Sequence, residues 1–200
     1  MNDSFYFTIA APGNAEFKER GSKFLAYSFP IMSTSDFKLS LDLVKKEHSK
    51  ATHHCFGYRL GLDGNSFRVS DDGEPSGTAG KPILGQIDSK QLTNTLIIVV
   101  RYFGGTLLGV PGLINAYKNS AALVLQTTTI IQKSVEIIYS LQFDYTTMND
   151  VMNIIKQQQV TIIEKELNLF CRLVIGIPKN RLDETVYHLN EIRGVELVKQ

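Results

Sequence analysis

Between Asp71 and Lys81 the chain reads DDGEPSGTAGK, which sets three carboxylates, two hydroxyls, three glycines and one lysine in eleven residues. Asp71, Asp72 and Glu74 are acceptors. Ser76 and Thr78 both donate and accept. Gly73, Gly77 and Gly80 open backbone angles closed to other residues and let a partner approach the main chain. A long polar segment without hydrophobic period, inside a compact domain, is more often functional than a plain connection. Its end, PSGTAGKP, echoes a phosphate-binding loop. It departs at two positions: Pro75 stands where the first glycine belongs, and Pro82 follows Lys81 where Ser or Thr would hold magnesium. A weaker anion site, made of backbone N–H groups and Lys81, stays open. The three acids could offer oxygens to a hard cation, but their spacing does not fit a calcium loop. No metal or cofactor is expected.

Other residues of chemical interest lie nearby in sequence. His53 and His54 are neighbours on a strand, so they point to opposite faces. Cys55 shares a face with His53, although HHCFGYRL shows no electropositive setting for a reactive thiol. Arg101 ends an apolar strand just before Gly104 and Gly105, a place where α/β proteins bind ligands. It can reach a ligand, or pair with Asp71, Asp72 or Glu74.

The elements that hold these residues follow from period and punctuation. Strands are expected over 5–11, 23–31, 53–62, 67–69 and 95–102, the last apolar enough to be buried on both faces. Ser33 to Asp36 offer caps for a helix with Phe37, Leu41, Val44 and His48 on one side. A short helix is expected over 82–91. A second glycine loop, Gly104 to Gly112, leads into a helix over 113–127, with Pro111 suited to its first turn. Two glycine loops thus lead into two helix starts, whose free N–H groups favour anions. Side by side, they would frame one concave site. Beyond about residue 130, alternation at Val135 to Phe143 and Leu169 to Ile177, a strand over 160–166, helical stripes after Met148 and Leu182, and a last strand over 195–198 give βαββαβ. That is the ferredoxin-like plan. The expected domains are 1–130 and 131–200, an α+β chain.

Composition narrows the partners. The net charge is +1. Residues 1–130 hold 13 Lys and Arg against 11 Asp and Glu, and the remainder 8 against 9. Neither part is the basic body of a non-specific nucleic-acid binder. Cys55 and Cys171 have no partner spacing for a disulfide or zinc, and both read as buried thiols. The opening residues do not resemble a secretory signal, and the longest strongly apolar run, near Leu96 to Val100, is far too short for a membrane span. The cytoplasm is the expected location.

Four segments, ERGSKFLAYSFPI (Glu19 to Ile31), ATHHCFGYRLG (Ala51 to Gly61), FRVSDDGEPSGTAGKPIL (Phe67 to Leu84) and VVRYFGGTLLGVPGLINAY (Val99 to Tyr117), resemble the YigZ/IMPACT family in sequence and in order. The resemblance implies an N-terminal α/β domain similar to the second domain of ribosomal protein S-five. A ferredoxin-like domain similar to the last domain of elongation factor G would follow. It also implies candidate ligand-contacting residues: Asp71, Asp72, Gly73, Glu74, Ser76, Gly77, Thr78, Gly80, Lys81, Arg101, Gly104, Gly105, Gly109 and Gly112. His53 joins them from its strand. Eukaryotic relatives carry a different second domain and regulate translation under amino-acid stress. The resemblance implies no firm enzymatic activity and no catalytic residue.

Three readings remain. The favoured one is a non-catalytic regulatory protein acting on the translation machinery, through RNA or a ribosome-associated protein. The alternative is an enzyme for an anionic or phosphorylated small molecule at the two loops. The third is an interaction scaffold whose loops only stabilise the domain. Oligomeric state is not legible.

Overall fold

The computed structural model describes residues 4–200. The chain divides into two compact units, one over Tyr6–Lys133 and one over Ser134–Gln200 together with the first described residues up to Phe5.

In the first unit the chain runs β1 (Phe5–Ile9), β2 (Gly13–Glu19), β3 (Ser22–Pro30), α1 (Thr34–Glu47), β4 (His53–Leu60), β5 (Ser66–Ser70), α2 (Gly80–Ser89), β6 (Thr95–Tyr102), α3 (Gly109–Thr127) and β7 (Ile130–Ser134). Five strands form one sheet in the order β2-β3-β6-β4-β5, every pair antiparallel. β1 and β7 pair separately. The central strand β6 is apolar because it is covered twice. Ile97 and Val99 join α2 and α3 in one core cluster, and Leu96, Ile98 and Val100 join Phe37 and Val44 of α1 in another. The capping signal before α1 holds: Ser33 and Asp36 bond each other's backbone N–H as a reciprocal pair.

β2 and β7 escape the hydrophobic period. β2 alternates half-buried and exposed residues and carries Glu16, Lys18 and Glu19, so little apolar signal marks it. α2 starts at Gly80, two residues before the expected position, and α3 at Gly109, four residues early. Gly109, Pro111 and Gly112 therefore belong to a helix start and not to a loop. Glycine there hides the helical period.

The second unit runs β8 (Glu136–Asp144), α4 (Met148–Gln157), β9 (Thr161–Glu166), β10 (Phe170–Pro178), α5 (Leu182–Asn190) and β11 (Glu196–Lys199). Its sheet order is β11-β8-β10-β9, all antiparallel, which is the ferredoxin-like arrangement. Leu141, Phe143, Leu173, Ile175 and Ile177 face the helices. By register, the other face carries Glu136, Glu164, Glu166 and Glu196 against the single cation Arg172. Among the described residues no helix is long and apolar enough to cross a membrane.

Candidate functional site

The DDGEPSGTAGK segment leaves β5 and folds back on itself before entering α2. Glu74 N–H donates to the Asp71 carbonyl at 2.9 Å, closing a turn in which Asp72 (φ 41°) and Gly73 (φ 89°) are both left-handed. Aspartate tolerates that region and glycine prefers it. The turn aims the Asp71 carboxylate at the start of α2. One oxygen accepts from Ala79 N–H and Gly80 N–H, both at 2.9 Å, and the other accepts from Gly77 N–H at 2.8 Å. Partial burial alone would raise the pKa of this carboxyl. The three N–H donors, with Lys81 nearby, outweigh it and hold the group below the usual carboxylate range. The anion cradle expected at this helix start is thus occupied by the chain's own aspartate. Gly80 is small because the helix start presses on β5: a Cβ there would stand 2.8 Å from Ser70 N.

Beneath the turn lies a buried polar cluster. Phe24, His53 and Arg101 are cross-strand neighbours on the face of the sheet that carries α2 and α3. Glu74 dips onto this row. It accepts from Arg101 Nη1 at 2.7 Å and from Tyr117 Oη, on α3, at 2.8 Å. The side chains of Arg101 and Glu74 are only 7% and 4% exposed, so their attraction is little screened. Phe24 and Phe103 lie within 5.5 and 5.6 Å of the guanidinium carbon and add cation–π contact. Arg101 Nη2 reaches Ser22 Oγ at 3.4 Å, and that oxygen also accepts from Gly104 N–H. His53 Nδ1 lies 2.8 Å from the Asp72 carbonyl, which places the proton on that nitrogen, and Nε2 stands 3.9 Å from Glu74. Asp72 itself accepts from His54 N–H at 2.7 Å.

The two groups that resemble nucleophiles are quenched. Burial drives the Cys55 thiol well above its usual pKa, and the Glu74, Asp72 and Asp71 carboxylates add to that against the one opposing contact from Tyr117. Burial, followed by Cys55 and Glu74, raises the Tyr117 phenol still further. Both keep their protons at physiological pH.

The Impact N-terminal domain family matches residues 20–125. IMPACT family member YvyE of Bacillus subtilis is 33% identical over 159 residues, covering 80% of this chain and 73% of its own. IMPACT family member YigZ of Escherichia coli is 32% identical over 177 residues, covering 88% and 87%. A crystal structure described as that of a hypothetical protein superposes with a TM-score of 0.76 at 30% identity, over 98% of this chain and 97% of the other.

The chain belongs to the IMPACT family.

Within the IMPACT domain, the expected residues take different places. Glu74, Arg101 and His53 converge in the buried cluster, Asp71, Asp72 and Gly73 form the turn above it, and Gly77, Thr78 and Gly80 lie beside that turn, where the Thr78 hydroxyl donates to the Pro75 carbonyl. Ser76 and Lys81 are exposed. Gly104 is a packing residue: a Cβ would lie 1.9 Å from the Gly21 carbonyl carbon, so this glycine seats the turn between β2 and β3. Gly105 is exposed in the loop, and Gly109 and Gly112 belong to the first turn of α3.

Glu74 of the first glycine loop bonds Arg101 on β6 and Tyr117 on α3, the two elements that flank the second loop. A cavity of about 490 Å³ lies elsewhere, between Phe17, Glu19 and Arg20 on one side and α3 from Pro111 to Asn119 on the other. Of the expected residues only Gly112 lines it. Sequence reasoning missed Ser22, Phe24 and Tyr117 because they read as ordinary strand and helix residues. The signal available was Tyr117 itself, a phenol on the buried side of a helix, which needs a partner.

Proposed function

We propose that this chain is a non-catalytic regulatory protein of the cytoplasm that binds a protein component of the translation machinery. One observation carries the non-catalytic part. The Asp71, Asp72, Glu74 and Thr78 side chains of the glycine–acid loop bond within the chain, and Cys55 and Tyr117 are held protonated. The translation part rests on family membership and on what the resemblance implies for eukaryotic relatives. A protein partner is favoured over RNA because the face of the second unit's sheet turned from its helices carries four glutamates and one arginine, which repels a phosphate backbone.

The test is sedimentation of cell lysate through sucrose at low and moderate salt, with the protein followed by antibody. Comigration with ribosomal particles that survives ribonuclease trimming of exposed RNA is expected. Comigration lost on that trimming assigns the contact to RNA. A protein found only at the top of the gradient overturns the reading.

A further inference from the structure

β2 is an edge strand, paired only with β3. The register Glu19↔Ser22 closes a two-residue turn in which Arg20 (φ 44°) and Gly21 (φ 80°) are left-handed. In such a hairpin the closing pair is hydrogen-bonded, so Glu19, Phe17 and Ala15 bond to β3 while the peptide groups of Asn14, Glu16 and Lys18 face outward. Thr127 of α3 reaches the Asn14 carbonyl at 3.5 Å. Glu16 and Lys18 therefore present the free stretch of edge.

The cavity of about 490 Å³ opens beside that stretch. β2 and its turn line one wall with Phe17, Glu19 and Arg20, and α3 lines the other with Asn115, Ala116 and Asn119. β3 contributes nothing to it. The space thus lies at the rim of the sheet, between an unpaired strand and a helix. One added strand fits such a groove, with main-chain bonds to the edge and one side chain in the cavity.

Charge defines the occupant further. Glu16 and Lys18 point to the sheet face away from α3. There Glu16 accepts from Lys23 at 2.7 Å and from Lys18 at 3.2 Å, so two ammonium groups share one carboxylate. The Lys18 side chain is 74% exposed and holds the longer of the two bonds.

We propose that the groove between β2 and α3 binds an extended peptide segment of a protein partner, which adds a strand to β2, seats an apolar side chain on the Phe17, Leu108 and Ala116 part of the mixed polar and apolar cavity and sets an acidic side chain against Lys18. Because side chains alternate across a strand, the apolar residue and the acid stand an odd number of positions apart. The proposal rests on the protein-binding reading above but not on the partner's being ribosomal.

Selection of a random decapeptide display library on the full-length chain tests it. The enriched peptides are expected to pair an apolar residue with Asp or Glu at odd spacing. A synthetic consensus peptide should bind Lys18→Pro and Asn115→Trp at least tenfold more weakly in fluorescence polarisation. Lys18→Pro removes an outward N–H and spares the β3 ladder, and Asn115→Trp blocks the cavity from an exposed helix position. Absence of such enrichment, or equal binding by both variants, overturns the proposal. If the variants still comigrate with ribosomal particles while no peptide binds, the groove is wrong and the translation reading stands. If the groove binds peptide but the protein never comigrates, the groove stands and the translation reading falls.

Discussion

Two glycine-rich loops open two helices on the same face of one sheet, and they resolve in opposite ways. The first, before α2, holds the most polar and least periodic residues of the chain, yet Asp71 satisfies the helix start from within. The second, before α3, is plainer. Its helix has no side-chain cap and no acid in the first turn. Phe103, Leu107 and Val110 around it are 51%, 82% and 52% exposed, and the cavity beside β2 opens next to its first turns. A concentration of acids and glycines therefore marks the region with the most internal bonds to make. The surface left open is the one whose sequence attracts less notice.

Breaking the buried pair should have the largest effect. Glu74→Ala leaves Arg101 charged and without its carboxylate, which costs about 3–5 kcal/mol in chemical denaturation. A double variant, Glu74→Leu with Arg101→Met, should recover much of that, because two apolar side chains remove the uncompensated charge. Next comes Gly104→Ala, which forces the β2–β3 turn off its seat and costs about 3 kcal/mol by thermal melting.

Asp71→Asn should cost about 2 kcal/mol at pH 7, with a pH dependence that identifies the cause. The folded-state pKa of Asp71 is depressed, so its stabilisation is complete above the unfolded value of about 3.9 and is lost as pH falls through the folded value. The gap between wild type and Asp71→Asn should close on acidification below about pH 4. A gap that stays constant into strong acid would show that Asp71 acts through shape and not charge. Smallest of all, Ser76→Ala and Lys81→Ala should each stay within about 0.5 kcal/mol of wild type, since both are exposed.

Much of the fold was legible because its signals are local. A continuous apolar run gave β6, alternation gave β8 and β10, the Ser33 cap placed α1, and Pro111 fell in the first turn of α3 as expected. β2 stayed hidden because an edge strand with one exposed face and several charges close together has the composition of a loop. The pairing of Arg101 was open among three acids, and only the left-handed turn at Asp72 and Gly73 selects Glu74. Tyr117 stood outside the expected site because a helix face shows no function until the sheet beneath it supplies a carboxylate. The cavity at β2 could not be read at all, since it depends on where α3 lies over the sheet rim.

Sedimentation of three proteins side by side tests the contrast most directly: wild type, Lys81→Ala and Lys18→Pro, each expressed at the level of the native protein and each shown to melt within a few degrees of it. Wild type and Lys81→Ala should comigrate with ribosomal particles, and Lys18→Pro should remain at the top of the gradient. If Lys81→Ala is lost from the particles while Lys18→Pro is retained, the glycine–acid loop is the binding site and the assignment of binding to the β2 edge is wrong.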